Sequence, residues 1–334
     1  MSPNSPSPVK RTSVCNGNPP VLILGYRRIE NLKEVGGRLL KDSPCCIHFQ
    51  IDGGSFSPNS QEILELRKYF DTRAGSTKIS LRVEPRNLGI AKNLMRGMET
   101  VFLRHDTVVV LEDDCFPAPV FYHFMSHSLS AFQDNPSIGM ISGNAYVIYP
   151  RGPLFSEVSD VPQTWGWATW KSVWKDFDPK LSKFTVKQIT QAINSTTHNP
   201  FVRRHWKQRT QISIADANMW DAQWTVYLWM RELKTINPSE NLVSNRGVDG
   251  AATHTLSSSF YTEWPTSTRK HINSISKELI ASPVPWNKWR KFIHMTLLRI
   301  HSLAERFQKN PVSPNASTVT RLAFWIATRR SPTL

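Results

Sequence analysis

Asp106-Thr-Val-Val-Val-Leu-Glu112-Asp113-Asp114-Cys-Phe-Pro-Ala-Pro119 is the stretch that decides the fold. Val108 to Leu111 form an unbroken apolar run, the pattern of a strand buried on both faces. Three consecutive carboxylates follow, and stability gives no reason for them: crowded acids repel, and ionised ones resist burial unless something positive joins them. Pro117 and Pro119 stop the strand, and Phe121–Phe132 reads as the next helix. In an open parallel sheet, ligands bind at the carboxyl ends of strands. An acidic cluster there most simply holds a divalent cation, because Mg²⁺ and Mn²⁺ prefer oxygen ligands. A strand pleat continued through the trio would point Glu112 and Asp114 to one face and Asp113 to the other. The competing interpretation is a solvated acidic turn that caps the helix.

Working outward, strands and helices alternate. Val21–Gly25 is a short apolar strand, followed by a helical period at Ile29, Leu32, Leu39 and Leu40. Cys46–Asp52 is a second strand, ended by Gly53-Gly54, and a helix spans about Gln61–Phe70. A third strand covers Ile79–Glu84. Gly89 then opens a helix with Ile90, Leu94, Val101 and Phe102 on one face. This alternation predicts a doubly wound, mostly parallel α/β sheet. Beyond a strand at Ile138–Ser142 the regularity fades and tryptophan becomes dense. Trp170 and Trp174 stand one helical turn apart, the spacing of Trp220, Trp224 and Trp229 predicts a helix, and residues 237–255 have the composition of a loop.

Composition narrows the class. The chain has 334 residues, 40% of them hydrophobic, enough for a large globular core. No run approaches the roughly 18 apolar residues of a membrane span, and the Ser/Pro/Asn-rich start lacks a signal peptide's hydrophobic segment, so the expected location is cytoplasmic. The four cysteines have neither zinc-site spacing nor the look of a disulfide framework. A net charge of +15 attracts anionic lipid, nucleic acid or phosphorylated ligands without choosing among them. No nucleic-acid recognition motif accompanies it.

Several segments now line up in order: Tyr26-Arg27, Ile51-Asp52-Gly53, Arg86-Asn87-Leu88-Gly89-Ile90-Ala91-Lys92-Asn93, Leu111-Glu112-Asp113-Asp114, Ile141-Ser142-Gly143, Trp165-Gly166-Trp167-Ala168-Thr169-Trp170 and Asn241-Leu242-Val243-Ser244-Asn245. From about Val21 to His254 the chain resembles bacterial sugar transferases of the GT-A glycosyltransferase fold, related to the N-acetylglucosaminyltransferase I group. The resemblance implies a Rossmann-like, nucleotide-diphospho-sugar transferase sheet flanked by helices, an Asp-X-Asp-type metal site for Mn²⁺ or Mg²⁺, and a nucleotide-sugar donor, by family a UDP-sugar. It implies glycosyl transfer to a hydroxyl, here expected on a glycan or lipid-linked saccharide. It makes Asp114 the direct metal ligand, with Asp113 orienting metal-bound water or donor hydroxyls and Glu112 contacting sugar or ribose. It places Asp52 on the base or ribose, although Asp52 could instead accept hydrogen bonds within its own Asp-Gly-Gly turn. His254 completes the metal site in this picture, and imidazole would favour Mn²⁺.

Other candidates follow from chemistry. Arg27, beside Tyr26, and Arg86 could meet a pyrophosphate, since guanidinium matches phosphate geometry, or pair with surface acids. Asn87 could cap the helix that Gly89 opens, with Lys92 and Asn93 on its first turn facing the nucleotide or serving structure. Trp165-Gly166-Trp167 suggests a sugar-binding wall, whereas indoles at this density are most often core. An inverting transferase needs a carboxylate to take the acceptor's proton; Asp221, between Trp220 and Trp224, is the first candidate and Asp216 the second.

The expected organisation is a tail at 1–20, a catalytic domain at 21–265 (nucleotide part about 21–115, acceptor part about 116–265), and a basic extension at 266–334. Trp286–Phe307 in that extension alternates aromatic and aliphatic residues at helical spacing with Lys288, Arg290, Lys291, Arg299 and Arg306. That is the pattern either of a helix on an anionic membrane surface or of one packed on the domain. A sugar-phosphate nucleotidyltransferase is the rival enzyme, weakened by a single glycine, Gly25, after the first strand. A non-catalytic carbohydrate- or membrane-binding relative is the other rival.

Overall fold

The structure, a computed structural model, describes residues 18–145, 154–197, 199–216, 219–247, 266–269 and 277–285. Its first half follows the expected alternation: β1 (Val21–Gly25), α1 (Ile29–Leu40), β2 (Cys46–Ile51), α2 (Gln61–Asp71), β3 (Lys78–Val83), α3 (Ile90–Phe102) and β4 (Thr107–Glu112). β1 pairs in parallel with β2 on one side and β4 on the other, and β2 pairs in parallel with β3. The chain thus winds outward from β1 to β3 and returns to lay β4 on the opposite side of β1. That reversal opens a crevice at the carboxyl ends of β1 and β4, where ligands bind in open α/β sheets.

The second half comprises β5 (Cys115–Pro117), α4 (Phe121–Ala131), β6 (Ile138–Ser142), β7 (Ser156–Ser159), β8 (Trp167–Trp170), α5 (Lys171–Trp174), α6 (Val186–Thr196), α7 (Pro200–Ala215), α8 (Asp221–Met230), β9 (Lys234–Pro238), β10 (Val243–Asn245), α9 (Lys277–Ala281) and β11 (Val284–Pro285). Among the described residues the large sheet has nine strands in the order β11-β7-β9-β6-β8-β4-β1-β2-β3, while β10 and β5 form a separate antiparallel pair. The α/β fold with a mostly parallel sheet flanked by helices is therefore as expected, with one qualification. β8 enters antiparallel between β4 and β6, and β7 is antiparallel to β9.

Strand alternation divides the core between the two faces. Val21, Ile23, Val109 and Leu111 pack on the side of α1, α2 and α4. Leu22, Leu24, Val108 and Val110 pack on the other side, with α3, α6, α7 and α8. At about 1.5–3 kcal/mol for each fully buried aliphatic side chain, this two-sided burial is what fixes the register of β1 and β4. Two local expectations give way here. Trp170 ends strand β8 rather than sharing a helix with Trp174, because four indole-rich residues paired to β4 satisfy more backbone than an isolated turn would. The supposed loop at 237–255 contains the end of β9 and all of β10. Asn237 is buried within β9, while Ser244 and Asn245 are partly buried in β10.

Candidate active site

β4 ends at Glu112, and the chain turns instead of continuing the pleat. Asp113 and Asp114 consequently share one partner. Arg28, just beyond β1, places Nη1 2.9 Å from Asp113 Oδ1 and 3.7 Å from Asp114 Oδ2. The backbone N–H of Tyr26 donates to Asp113 Oδ2 at 3.1 Å. This is the positive group that a buried acidic trio requires. Sequence reasoning passed over Arg28, although Leu24 lies opposite Glu112 in the β1–β4 register and so brings residues 26–28 to the acids.

Asp114 is held from a second side. Arg246 donates its backbone N–H to the Asp114 carbonyl at 2.9 Å, and Asn245 Nδ2 lies 3.3 Å from Asp114 Oδ1. A Cβ on Gly247 would fall 2.4 Å from Asp114 Oδ2, so a side chain there would push the carboxylate from its present position. The β5–β10 pair thus acts as a clasp on Asp114, and Asn245, which the sequence offered only as part of a segment, gains a role at the site. His254 lies outside the described residues.

Asp221 opens α8, where the helix N-terminus favours an acid. Its Oδ2 is 2.5 Å from Arg209 Nη2 of α7. Asp221 also stands near enough to Glu112 to raise that carboxyl. Glu112 titrates well above the usual carboxylate range, chiefly through burial, then through Asp114, Asp113 and Asp221, with Arg28 opposing. Asp113 is pushed up to about 6, first by burial and then by Asp114, against the pull of Arg28 and the Tyr26 N–H. Four carboxylates from β4, the turn after it and α8 therefore form one electrostatic group. Asp216 closes α7, its N–H bonded to the Ile212 carbonyl and its own carbonyl receiving the Met219 N–H.

Tyr26, Arg27 and Asn87 form a second constellation on the same edge. Tyr26 Oη accepts from Arg27 Nη2 at 2.9 Å and from Asn87 Nδ2 at 2.8 Å, while Arg27 Nε reaches Ser55 Oγ at 3.2 Å. The Arg27 guanidinium lies over the Tyr26 ring, 4.5 Å from its centroid. Arg86, Asn87, Leu88, Lys92, Met95, Arg96 and Glu99 line a hollow of about 720 Å³ beside it. Arg86 and Lys92 are exposed, as ligand-facing cations would be.

Four assignments need correction. Asp52 is buried and uses both oxygens on backbone: Oδ1 accepts from Gly53 N–H at 2.9 Å and Leu88 N–H at 2.7 Å, Oδ2 from Gly89 N–H at 2.9 Å. It fixes the turn leading into α3 instead of meeting a base or ribose. Asn87 does not cap that helix. Its Oδ1 accepts from Gly89 N–H two residues on, and Gly89 itself, at φ +80°, is the cap residue. Asn93 is 1% exposed; its Oδ1 accepts from Gln50 Nε2 at 3.0 Å and its Nδ2 donates to the Gln50 carbonyl at 3.2 Å. Its position on the inner face of α3 turns it to Gln50 of β2. Trp167, also 1% exposed, stacks on Trp220 at 5.4 Å and lies among Trp174 and Trp224. It is core rather than wall, since β8 lies inside the sheet with this face covered by α8. Its contact with Trp220 seats the start of α8 and so positions Asp221. Trp165 is partly buried, and Gly166, at φ +62°, packs closely on Val243, Phe121 and Leu111.

The donor set of the acidic group fits a hard divalent cation: carboxylate oxygens in excess, with the nearby guanidinium of Arg28 meeting two of them. A second donor group, of different chemistry, stands elsewhere. One ligand atom each of Cys45, Cys46 and His105 lies within 4.8 Å of the others.

No family model matches the chain, and no curated protein matches it in sequence. Among solved structures it is similar to GalNAc-T7 with UDP, GalNAc and Mn²⁺, at 11% identity and a TM-score of 0.38 over 50% of this chain and 38% of that one. It is similar also to the mannosyltransferase PcManGT of Pyrobaculum calidifontis with GDP-Man and Mn²⁺, at 13% identity and a TM-score of 0.36 over 64% and 68% of the two chains. A third likeness is to UDP-glucose pyrophosphorylase with UDP-glucose, at 7% identity and a TM-score of 0.36 over 69% and 92%. The chain thus spans well under half the length of GalNAc-T7. At such TM-scores these likenesses carry no argument about chemistry.

Proposed function

We propose that this chain is a metal-dependent glycosyltransferase of GT-A type, akin to the N-acetylglucosaminyltransferase I group. In this proposal it moves a sugar from a nucleotide-sugar donor, a UDP-sugar, to a hydroxyl of a glycan or lipid-linked saccharide. One observation supports it above the others: the carboxylates of Glu112, Asp113, Asp114 and Asp221 act on one another at the crevice between β1 and β4, beside a hollow lined by Arg86, Lys92 and Arg96. Such an edge accepts a cation on one side and phosphate on the other.

Asp114, with His254 as a further candidate, would hold Mn²⁺ or Mg²⁺. When bound, the cation supplies charge neutralisation to the leaving diphosphate. Arg27, Arg86 and Lys92 bind the phosphates, Tyr26 and Asn87 fix Arg27, and Glu112 and Asp113 address the donor's hydroxyls. Trp165 and Gly166 offer the donor's sugar a wall. Asp221 takes the proton of the acceptor hydroxyl as its oxygen bonds to the anomeric carbon and the carbon–phosphate-oxygen bond breaks, inverting the centre. Asp216 is the second candidate for that proton. Residues 21–115 serve the nucleotide and 116–265 the acceptor.

The test is nucleotide release from a panel of nucleotide sugars, with and without Mn²⁺ and with excess chelator. Nucleoside diphosphate release that needs the metal is expected. Pyrophosphate chemistry on sugar phosphates would point to a nucleotidyltransferase instead, and donor binding without turnover across a broad acceptor panel would point to a binding protein.

A further inference from the structure

β2 carries chemistry at both ends. Asp52 follows its carboxyl end, beside the acidic site. At its amino end, roughly 20 Å away for six residues of strand at about 3.3 Å each, sits the unrelated cluster of Cys45, Cys46, His48 and His105. Cys46 and His48 are two apart on β2 and share the face toward α3; His105 lies in the connection from α3 to β4. Cys46 Sγ is 3.6 Å from Cys45 Sγ, 3.2 Å from His48 Nε2 and 3.5 Å from His105 Nε2.

The separations of Cys46 from Cys45 and His105 are close to two edges of a tetrahedron around zinc, and the third pair lies within 4.8 Å. With Zn–S about 2.3 Å and Zn–N about 2.0–2.1 Å, donors on one ion stand about 3.8 Å apart for two sulfurs and about 3.6 Å for sulfur and nitrogen. Two thiols and an imidazole are also the soft-to-borderline set that such an ion prefers over the oxygen-rich acidic site. Nothing in core packing calls for this grouping. Burial leaves His48 Nδ1 without a hydrogen-bond partner. A divalent cation is the group that would give these converging sulfur and nitrogen donors a common partner. Lys78, opposite Cys46 on β3, and Arg104 are the nearby cations, with Asp106 the nearby acid.

We propose that Cys45, Cys46 and His105 form a thiolate–imidazole site for a zinc-class divalent cation, with His48 beside Cys46 at its rim, gated by the oxidation state of Cys45. Cys45 is disulfide-bonded here, and in that state its sulfur has no thiolate to give. Reduction by a dithiol, which is itself oxidised to its cyclic disulfide, transfers two electrons and two protons, breaks the S–S bond and frees two thiols, that of Cys45 and that of its disulfide partner. Binding then releases the protons of Cys45 and Cys46 as both sulfurs ligate the ion. Occupancy ties β2 to the α3–β4 connection, so that thiol reduction and metal together brace the edge of the sheet remote from the acidic crevice.

The experiment uses the full chain, reduced with a dithiol, freed of it anaerobically, and titrated with Co²⁺ and then Zn²⁺. About one equivalent of Co²⁺ should produce the near-ultraviolet thiolate charge-transfer band and the visible bands of tetrahedral cobalt, both bleached by Zn²⁺. Asp114→Ala should keep these bands, which separates this site from the acidic one and leaves the proposed transferase chemistry to stand or fall separately. Cys46→Ser and His105→Gln should each lose the bands or weaken cobalt binding at least tenfold; His105 is only partly buried, so its variant serves if the serine variant does not fold. The oxidised chain should bind at least tenfold more weakly than the reduced one. A folded, reduced chain with no thiolate band, or a band unchanged in the His105 variant, would overturn the site. Equal affinity in the oxidised and reduced chains would overturn the gating.

Discussion

At the scale of single residues, the proposed chemistry rests on carboxylates with different surroundings. Asp114 touches the clasp of Asn245, Arg246 and Gly247 but contributes little to the core. Asp114→Ala should therefore keep the circular dichroism spectrum and lose transfer by roughly 10³-fold or more, the kinetic equivalent of several kcal/mol of leaving-group stabilisation. A folded variant with full activity would end the metal mechanism. Asp221→Asn is nearly isosteric and can still bond Arg209, so donor affinity should hold while turnover drops by roughly 10²–10⁴-fold; unchanged turnover would move the base to Asp216. Asp113 gives a stability signature. Its folded carboxyl titrates at about 6, against an ordinary 3.8. Between those values the folded state holds the extra proton, so stability falls as pH rises from about 4 to about 6 and stays lower above. The loss is on the order of 2–3 kcal/mol. Urea midpoints at pH 4.5 and 7.0 should show that slope in the wild type and a flatter one in Asp113→Asn; equal slopes would refute the assignment.

Elements position what the residues do. The turn from β3 into α3 is latched to the end of β2 by Asp52, which accepts three backbone N–H groups. Asp52→Ala leaves those donors without their acceptor and should cost about 3 kcal/mol, at about 1–3 kcal/mol for each donor left buried. Donor affinity should weaken with it, because Asn87 and Arg86 move with the turn; an unchanged urea midpoint would show that the turn holds itself. Trp167 works through α8 in a comparable way. The indole cluster it forms with Trp174, Trp220 and Trp224 anchors the first residue of that helix. The density of tryptophan thus serves the site by fixing a backbone rather than by presenting a sugar platform.

Over the whole molecule, no helix among the described residues is long and apolar enough to cross a membrane. The basic segment Trp286–Phe307 lies outside the described residues, and its proposed role is peripheral. Each basic side chain near an anionic surface contributes about 1 kcal/mol. Binding to anionic vesicles should weaken with salt and vanish on deletion of residues 286–334, while release of nucleotide with a soluble acceptor persists. Absence of binding at low salt would leave the segment a structural helix.

Much of the fold was legible because its signals are local. An apolar run such as Val108–Leu111 needs burial on two faces, and helical periods such as Ile90, Leu94 and Val101 need one, whatever the partner. The acidic trio was legible for the same reason: no local balance offsets three carboxylates. What the sequence could not determine was pairing. Arg28 looks like any surface arginine until the β1–β4 register sets it against Asp113 and Asp114. Asp52 and Asn93 look like ligand-facing polar residues until strand and helix turn them toward backbone and Gln50. Cys46 and His105 are 59 positions apart, and only the sheet and the connection after α3 bring their donors together. Composition and periodicity settle which faces are buried, since burial free energy adds residue by residue. The neighbour that each polar group meets depends on register and crossover, which belong to the folded chain as a whole.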